Sequence, residues 1–185
     1  MILASGSPQR RAILEQLGIG FELRVPEGVE ELDSGPPGEV AVENAYRKAS
    51  AIASDAPERL VLGVDTVVCR GQRIYGKPDG EASARDTLRE LSGATHSVIG
   101  GVCLIESGRP RTAAAVTSVR FRELDEQLLE WYVACGEWRG RAGGYAIQQR
   151  GAALVAAIEG DYLNVVGLPV WTLLELAPGL LGGRQ

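Results

Sequence analysis

Residues 59–70, RLVLGVDTVVCR, form a nearly continuous apolar, β-branched run broken by a single carboxylate, Asp65. A strand that is apolar in both parities is covered on both faces, so this segment belongs inside a sheet with other layers packed against it. A charged carboxylate in such a place is costly to bury unless it meets a cation, a metal or several hydrogen-bond donors. Asp65 is therefore either a strand-end residue satisfied by backbone amides or a functional group, a metal ligand or a general base.

The neighbouring segments supply the layers. ILAS (2–5) reads as a short buried strand. The helix after it has Ser7 as N-cap, Pro8 in its first position and an Ile13, Leu14, Leu17 stripe ended by Gly18. FELRV (21–25) is a second strand, followed by the acidic loop PEGVEELDSGPPGE. A helix over 40–54 places Ala41, Ala45, Ala49 and Ile52 on one face. EASARDTLRELSG (81–93) is a helix with Ala84, Leu88 and Leu91 in register, and HSVIGGVCLI and AAAVTSVRFR are β segments. A further helix over 124–135 turns Leu128, Trp131 and Tyr132 inward, and glycine-rich turns, one or two strands and a closing helix complete the chain. Strands alternate with helices, yet some neighbouring strands are joined directly. That pattern predicts an α/β fold with a mixed central sheet flanked by helices, not a regular Rossmann unit. The 185 residues contain no repeat or linker, so a single domain over 1–185 is expected.

Charge narrows the partners. With 19 Lys and Arg against 24 Asp and Glu, the net charge is −5, and no basic face for nucleic acid is expected. Phosphate recognition must come instead from a few cations placed in a pocket. Three scattered cysteines (Cys69, Cys103, Cys135) show no metal-ligand spacing. With no signal peptide and no membrane span in the sequence, they predict a cytoplasmic protein. His96 is the only histidine, which excludes His-rich zinc sites, and it reads as structural.

Several residues carry chemistry. The helix start at Ser7 offers free N–H groups, with Ser5, Gly6, Arg10 and Arg11 beside it. It is either an anion site or only a well-capped helix. GQRIYGKP (71–78) imitates a phosphate loop but has Pro78 where the Ser or Thr belongs, so the match is accidental. Lys77 remains a lone cation on a rigid turn. Glu30 and Glu31 add loop carboxylates, and hard oxygen ligands point to magnesium or manganese. Together these parts describe metal-assisted chemistry on a phosphorylated small molecule, without choosing among kinase, phosphatase and pyrophosphatase.

Through LASGSPQRRAILEQLG, GVDTVV, GKP, LSGATHSV, AGGYAIQQRGA and GDYLNVVGLP the chain resembles the Maf family of nucleoside triphosphate pyrophosphatases. The resemblance implies an elongated, two-lobed α/β unit with a deep cleft, similar to inosine-triphosphatase-like proteins. It implies hydrolysis of a nucleoside triphosphate to the monophosphate and pyrophosphate with a divalent cation, Mg²⁺ or Mn²⁺. Some members are linked to arrest of septum formation, and homodimers are common. No nucleic-acid or membrane partner is implied.

Carried onto this sequence, the resemblance makes Asp65 the base that activates water, with Lys77 and Glu31 (or Glu30) as further catalytic groups. Ser7, Arg10 and Lys48 match substrate-binding positions, and Glu31 and Asp65 match metal positions. Thr66 and Gln148 fall at specificity positions and resemble the branch acting on dTTP and UTP. Gln9 occupies the third specificity position, where that branch usually carries Arg and the 7-methyl-GTP branch Trp. Gln149 replaces the family's common Gly after Gln148. The alternatives are a pyrophosphatase for CTP, modified pyrimidines, ITP, XTP or 7-methyl-GTP, and a nucleotide-binding regulator of cell division whose hydrolysis is incidental.

Overall fold

The computed structural model of the chain describes residues 1–182. The apolar run forms the central strand β3 (Val61–Arg70), buried everywhere except Thr66 and Arg70. It pairs in parallel with β1 (Ile2–Ala4) and antiparallel with β5 (Thr95–Glu106). β1 also pairs in parallel with β2 (Glu22–Arg24), and β5 turns through Ser107 and Gly108 into β6 (Arg109–Phe121). Both turn residues have positive φ, as the tight hairpin geometry that matches strand twist requires. With β7 (Val155–Glu159) on β6 and β4 (Arg73–Tyr75) on the far end of β3, the mixed sheet has seven strands. Their order is β2-β1-β3-β5-β6-β7, with β4 off that path.

Alternation along β3 divides the layers. Leu62, Val64 and Val68 face the larger core. They meet the inward sides of α1 (Pro8–Gln16), α3 (Glu81–Leu91) and α4 (Glu126–Cys135). The short C-terminal helices α5 (Tyr162–Val166) and α6 (Val170–Leu176) join the same core through Val166, Val170 and Leu173. Val61, Val67 and Cys69 face α2 (Pro37–Ala53) on the opposite side. The expected alanine stripe lies on this helix, with Ala41, Ala45 and Ala49 all buried. Their small size lets α2 settle to backbone contact with the sheet. A Cβ on Gly63 would stand 2.1 Å from the Ala45 carbonyl oxygen, and one on Gly101 would stand 2.1 Å from that of Ala41.

Three local expectations are corrected. Helix α2 begins at Pro37, not residue 40, because a proline preset for helical φ opens its first turn. Helix α4 starts at Glu126, where Asp125 accepts the Leu128 N–H at 2.8 Å, and it buries Leu129, Tyr132 and Val133. Its apolar stripe is thus displaced from the one expected, and Trp131 is left 44% exposed. Ser7 holds the N-cap position of α1, but its hydroxyl donates to Gln9 Oε1 at 3.2 Å and does not cap the helix.

His96 lies in the core at 2% exposure, edge-on to Phe121, with Nε2 2.9 Å from the Tyr145 hydroxyl. Burial pushes its imidazole down to about 4.

Two predictions follow from this packing. Gly63→Ala should destabilise the protein by about 3 kcal/mol in denaturant unfolding, because a backbone carbonyl cannot step aside. Gly20→Ala, with nothing within 4 Å of the new methyl, should stay within about 0.5 kcal/mol of the parent. The second concerns acid. Because His96 binds its proton more weakly folded than unfolded, its contribution to stability is complete above about pH 6.5 and is lost as pH falls toward 4. Unfolding midpoints measured at pH 7 and pH 4.5 should therefore fall further for the parent than for His96→Gln. The difference should be on the order of 3 kcal/mol at most.

Candidate active site

The site arises where the sheet is interrupted. β1 follows β3 only as far as Gly63, and β4 joins only at Val68. Between them Val64–Val67 have no strand neighbour on that edge, so both faces of β3 open into a cleft of about 520 Å³. The parallel strands β1 and β3 point their carboxyl ends towards it, the usual location of sites in open α/β sheets. Ser7, Gln9, Arg10, Glu31, Lys48, Asp65, Thr66, Lys77 and Gln148 all line it.

On the α2 face of β3 sits a buried ionic cluster. Lys48, 8% exposed, places Nζ 2.5 Å from Asp65 Oδ1 and 3.0 Å from Glu31 Oε1. Asn44, one helical turn before Lys48, donates from Nδ2 to Asp65 Oδ2 at 3.3 Å. Asp65, 7% exposed, is thus compensated by an ammonium and an amide, not by a strand-end row of backbone N–H groups. The geometry brings Glu31 into the cluster and leaves Glu30 outside. Glu30 contributes only its carbonyl oxygen, which accepts from Arg47 Nη1 at 2.9 Å. Gly101 stands opposite Asp65 on β5, so no side chain competes for this space.

Thr66 points to the other face, towards α1. Its hydroxyl accepts from Arg10 Nη2 at 3.1 Å, while Arg10 Nη1 donates to Ser5 Oγ at 3.0 Å and Nε to the Gly167 carbonyl at 2.9 Å. Burial draws the Arg10 guanidinium below its ordinary value, and the Asp65 and Glu31 charges oppose that shift. Arg11 lies outside the cleft and pairs with Glu15 at 2.7 Å on the exposed side of α1.

The opposite wall is built from the Lys77 turn and residues 139–148. The Gly143 N–H donates to the Gly76 carbonyl at 3.0 Å, which staples these two segments together. Gly143 has φ of 68° and packs on Val68, a place closed to any Cβ. Arg141, which sequence reading passed over, lines the cleft with Lys77. Neither side chain makes an ion pair or hydrogen bond among the described residues. Arg139 also reaches this wall, although it stacks on Trp138. Tyr145, the partner of His96, lines the cleft beside them. Five cationic side chains (Arg10, Lys48, Lys77, Arg139, Arg141) and two carboxylates (Glu31, Asp65) therefore face one cavity. An acidic protein has concentrated positive charge in this cleft, which suits a polyanion.

The same carboxylates can hold a metal. Lys48 already lies between Glu31 and Asp65, so positive charge is favoured there. No group of three or more His, Cys, Asp or Glu side chains forms a closed cage among the described residues. Two carboxylates fit an oxygen-preferring divalent ion that takes its other ligands from water and phosphate oxygens.

Residues 1–179 match the family model described as Maf-like protein. A Pyrococcus furiosus protein named dTTP/UTP pyrophosphatase is 44% identical over 95% of this chain and 93% of its own length. Proteins of the same name from Gloeobacter violaceus and a Bacillus cereus strain are 45% and 43% identical, covering 95% of this chain and 93% and 92% of their own. Among solved structures, the Staphylococcus aureus Ham1 protein aligns with a TM-score of 0.46 at 15% identity, over 65% of this chain and 70% of that one. No helix among the described residues is long and apolar enough to cross a membrane.

Proposed function

This chain belongs to the Maf-like family, and we propose that it is a nucleoside triphosphate pyrophosphatase hydrolysing dTTP and UTP to the monophosphate and pyrophosphate. The observation that carries the reading is convergence. Five separate stretches of chain (9–10, 48, 65–66, 77 and 139–148) deliver a buried carboxylate, five cations and a polar specificity wall to one cleft. The identity of 42–45% to proteins named for this activity supports the same substrate pair.

Asp65 accepts the proton of a water whose oxygen attacks the α-phosphorus. As that bond forms, the bond from the α-phosphorus to the bridging oxygen breaks, and pyrophosphate leaves with the electron pair. Lys48 and Asn44 hold Asp65 in orientation from the side of α2. When bound by Glu31 and Asp65, Mg²⁺ or Mn²⁺ supplies Lewis-acid stabilisation of phosphate charge. Lys77 and Arg141, the cleft cations with no partner among the described residues, are left to bind the β- and γ-phosphates. Arg10 contributes a fixed charge, since three of its N–H groups are already bound inside the protein.

Gln148 presents a side-chain amide that can donate and accept at once, matching the imide edge shared by thymine and uracil. Gln9 makes the first-motif position neutral and ties its oxygen to Ser7. The assigned role is removal of nucleotides from the pool in the cytoplasm, a setting that three unpaired cysteines support.

With Mg²⁺ or Mn²⁺, purified protein should release pyrophosphate from dTTP and UTP faster than from CTP, ITP or 7-methyl-GTP. Asp65→Asn should lower kcat by about 10³-fold. Lys77→Ala and Arg141→Ala should each lower kcat/KM by roughly 10- to 100-fold, the value of one charge-assisted hydrogen bond. Wild-type turnover by Asp65→Asn would show that another group is the base.

A further inference from the structure

The acidic loop between β2 and α2 carries Glu31, yet its own backbone offers little to fix it. Among the described residues no backbone–backbone hydrogen bond starts or ends on residues 26–35. The Leu32 side chain is 38% exposed and does not anchor it. Instead α2 grips the loop residue by residue. Arg47 donates to the Glu30 carbonyl, Lys48 meets the Glu31 carboxylate, and Asn44 takes Leu32.

The Asn44 contact is of a different kind from the other two. Its Oδ1 accepts the Leu32 N–H at 2.7 Å and its Nδ2 donates to the Leu32 carbonyl at 2.9 Å. The side-chain amide thus pairs with one residue's backbone in both directions, as a neighbouring strand would. The other Nδ2 proton reaches Asp65 Oδ2 at 3.3 Å. All three hydrogen-bonding directions are used by a side chain that is 2% exposed. An amide buried this deeply on a helix is unusual unless each of its polar atoms is matched. Here the matches join the Glu31 loop to the Asp65 strand through the backbone of the loop, beside the bridge that Lys48 makes between the two carboxylates.

We propose that Asn44 is a positioning residue that locks the acidic loop to Asp65 and thereby fixes Glu31 and Asp65 as a working pair. The inference rests on the pyrophosphatase reading for its consequence in turnover, but the lock itself is a property of the protein alone. Asn44 is not among the residues that line the cleft, whereas Asp65, Lys48 and Glu31 are. Its effect passes through the placement of the two carboxylates, which predicts a loss in kcat and in metal response while nucleotide affinity is kept. Partners one shell out from a metal typically change its affinity by about 10- to 100-fold.

The test uses Asn44→Ala and Leu32→Pro, the second deleting only the Leu32 N–H that Asn44 accepts, at a loop position 38% exposed. In the protein without nucleotide, exchange of the Leu32 amide, the one loop N–H that Asn44 holds, should speed at least about tenfold in Asn44→Ala. Mn²⁺ binding to the protein alone, read from the free-ion electron spin resonance signal, should weaken by about tenfold. In the assay, kcat at saturating dTTP should fall by roughly 10- to 100-fold with KM within about threefold of wild type. The double variant should be no worse than about twofold below Asn44→Ala, since the bond that Leu32→Pro deletes is one of the three that Asn44→Ala already removes. Unchanged exchange in the loop, or losses in kcat that multiply in the double variant, would overturn the proposal. So would a lower melting temperature with metal response intact. If Asn44→Ala does not fold, Leu32→Pro alone must show the kcat and Mn²⁺ losses or the proposal fails. If the wild-type protein hydrolyses no nucleotide, the pyrophosphatase reading fails, and exchange and Mn²⁺ binding still decide the role of Asn44.

Discussion

Helix α2 lies against the sheet at backbone contact, and most of what the molecule can do depends on that distance. Gly63 on β3 and Gly101 on β5 have no side chains, and Ala41, Ala45 and Ala49 present the smallest face a chiral residue allows. A helix held at the usual sheet-packing distance would leave Asp65 beneath a layer of methyls. At this distance Asn44 and Lys48, one turn apart on the neighbouring ridge, reach the carboxylate directly. The same close approach that fills the core therefore compensates its buried charge. Packing and electrostatics here are one constraint, because an added methyl at Gly63 would lift the cation away from the anion it offsets.

The second determinant is a gap. A strand interior normally has neighbours on both edges, and its side chains are then reachable only from above or below. β3 loses β1 after Gly63 and gains β4 at Val68. Over the residues between, the backbone itself borders the cleft. That is why Asp65 and Thr66, consecutive and pointing to opposite faces, serve one cavity. Asp65 reaches it from the α2 side with Glu31 and Lys48, and Thr66 from the α1 side with Arg10. The brevity of β1 is thus a functional feature. It stops where the Gly6–Ser7 turn and the start of α1 take over the lining.

Much of this was legible in the sequence because it follows from period and composition. The apolar run announced β3, and the single carboxylate inside it called for a cation or donors, which Lys48 and Asn44 supply. The alanine spacing announced the face of α2, and Pro78 exposed the false phosphate loop. The choice between Glu30 and Glu31 was not legible, since loop residues have no periodicity to assign their direction; only the reach of Lys48 separates them. Asn44 was missed although a signal existed, a polar residue in helical register with Lys48 on a face otherwise made of alanine. Arg141 was hidden by its glycine-rich surroundings, which read as turn chemistry and gave no hint that the turn folds back on Gly76. Trp131 failed for another reason. A ten-residue helix with apolar side chains on several faces leaves its buried stripe to be chosen by what it packs against, and the contacts of Leu129, Tyr132 and Val133 chose it.

Four of the five cations of the cleft, Arg139 with its Trp138 and Glu81 contacts aside, divide into two kinds, and the division explains how an acidic protein can favour an anionic ligand. Arg10 and Lys48 are held by protein acceptors, Arg10 by Ser5, Thr66 and Gly167, and Lys48 by two carboxylates. They cannot follow a moving phosphate, but their charges stay aimed at one place without reorganisation, the arrangement that stabilises developing charge most effectively. Lys77 and Arg141 lie on exposed or half-exposed turns with no partner among the described residues, so they can adapt to a flexible triphosphate. A cleft built only from free cations would bind polyanions indiscriminately, and one built only from fixed cations would demand a rigid ligand. Fixed charge over the reacting atoms and adaptable charge further along suits a substrate cleaved at one end of a flexible chain. The net −5 of the whole molecule then adds selectivity, since an extended polyanion meets net repulsion from the protein as a whole.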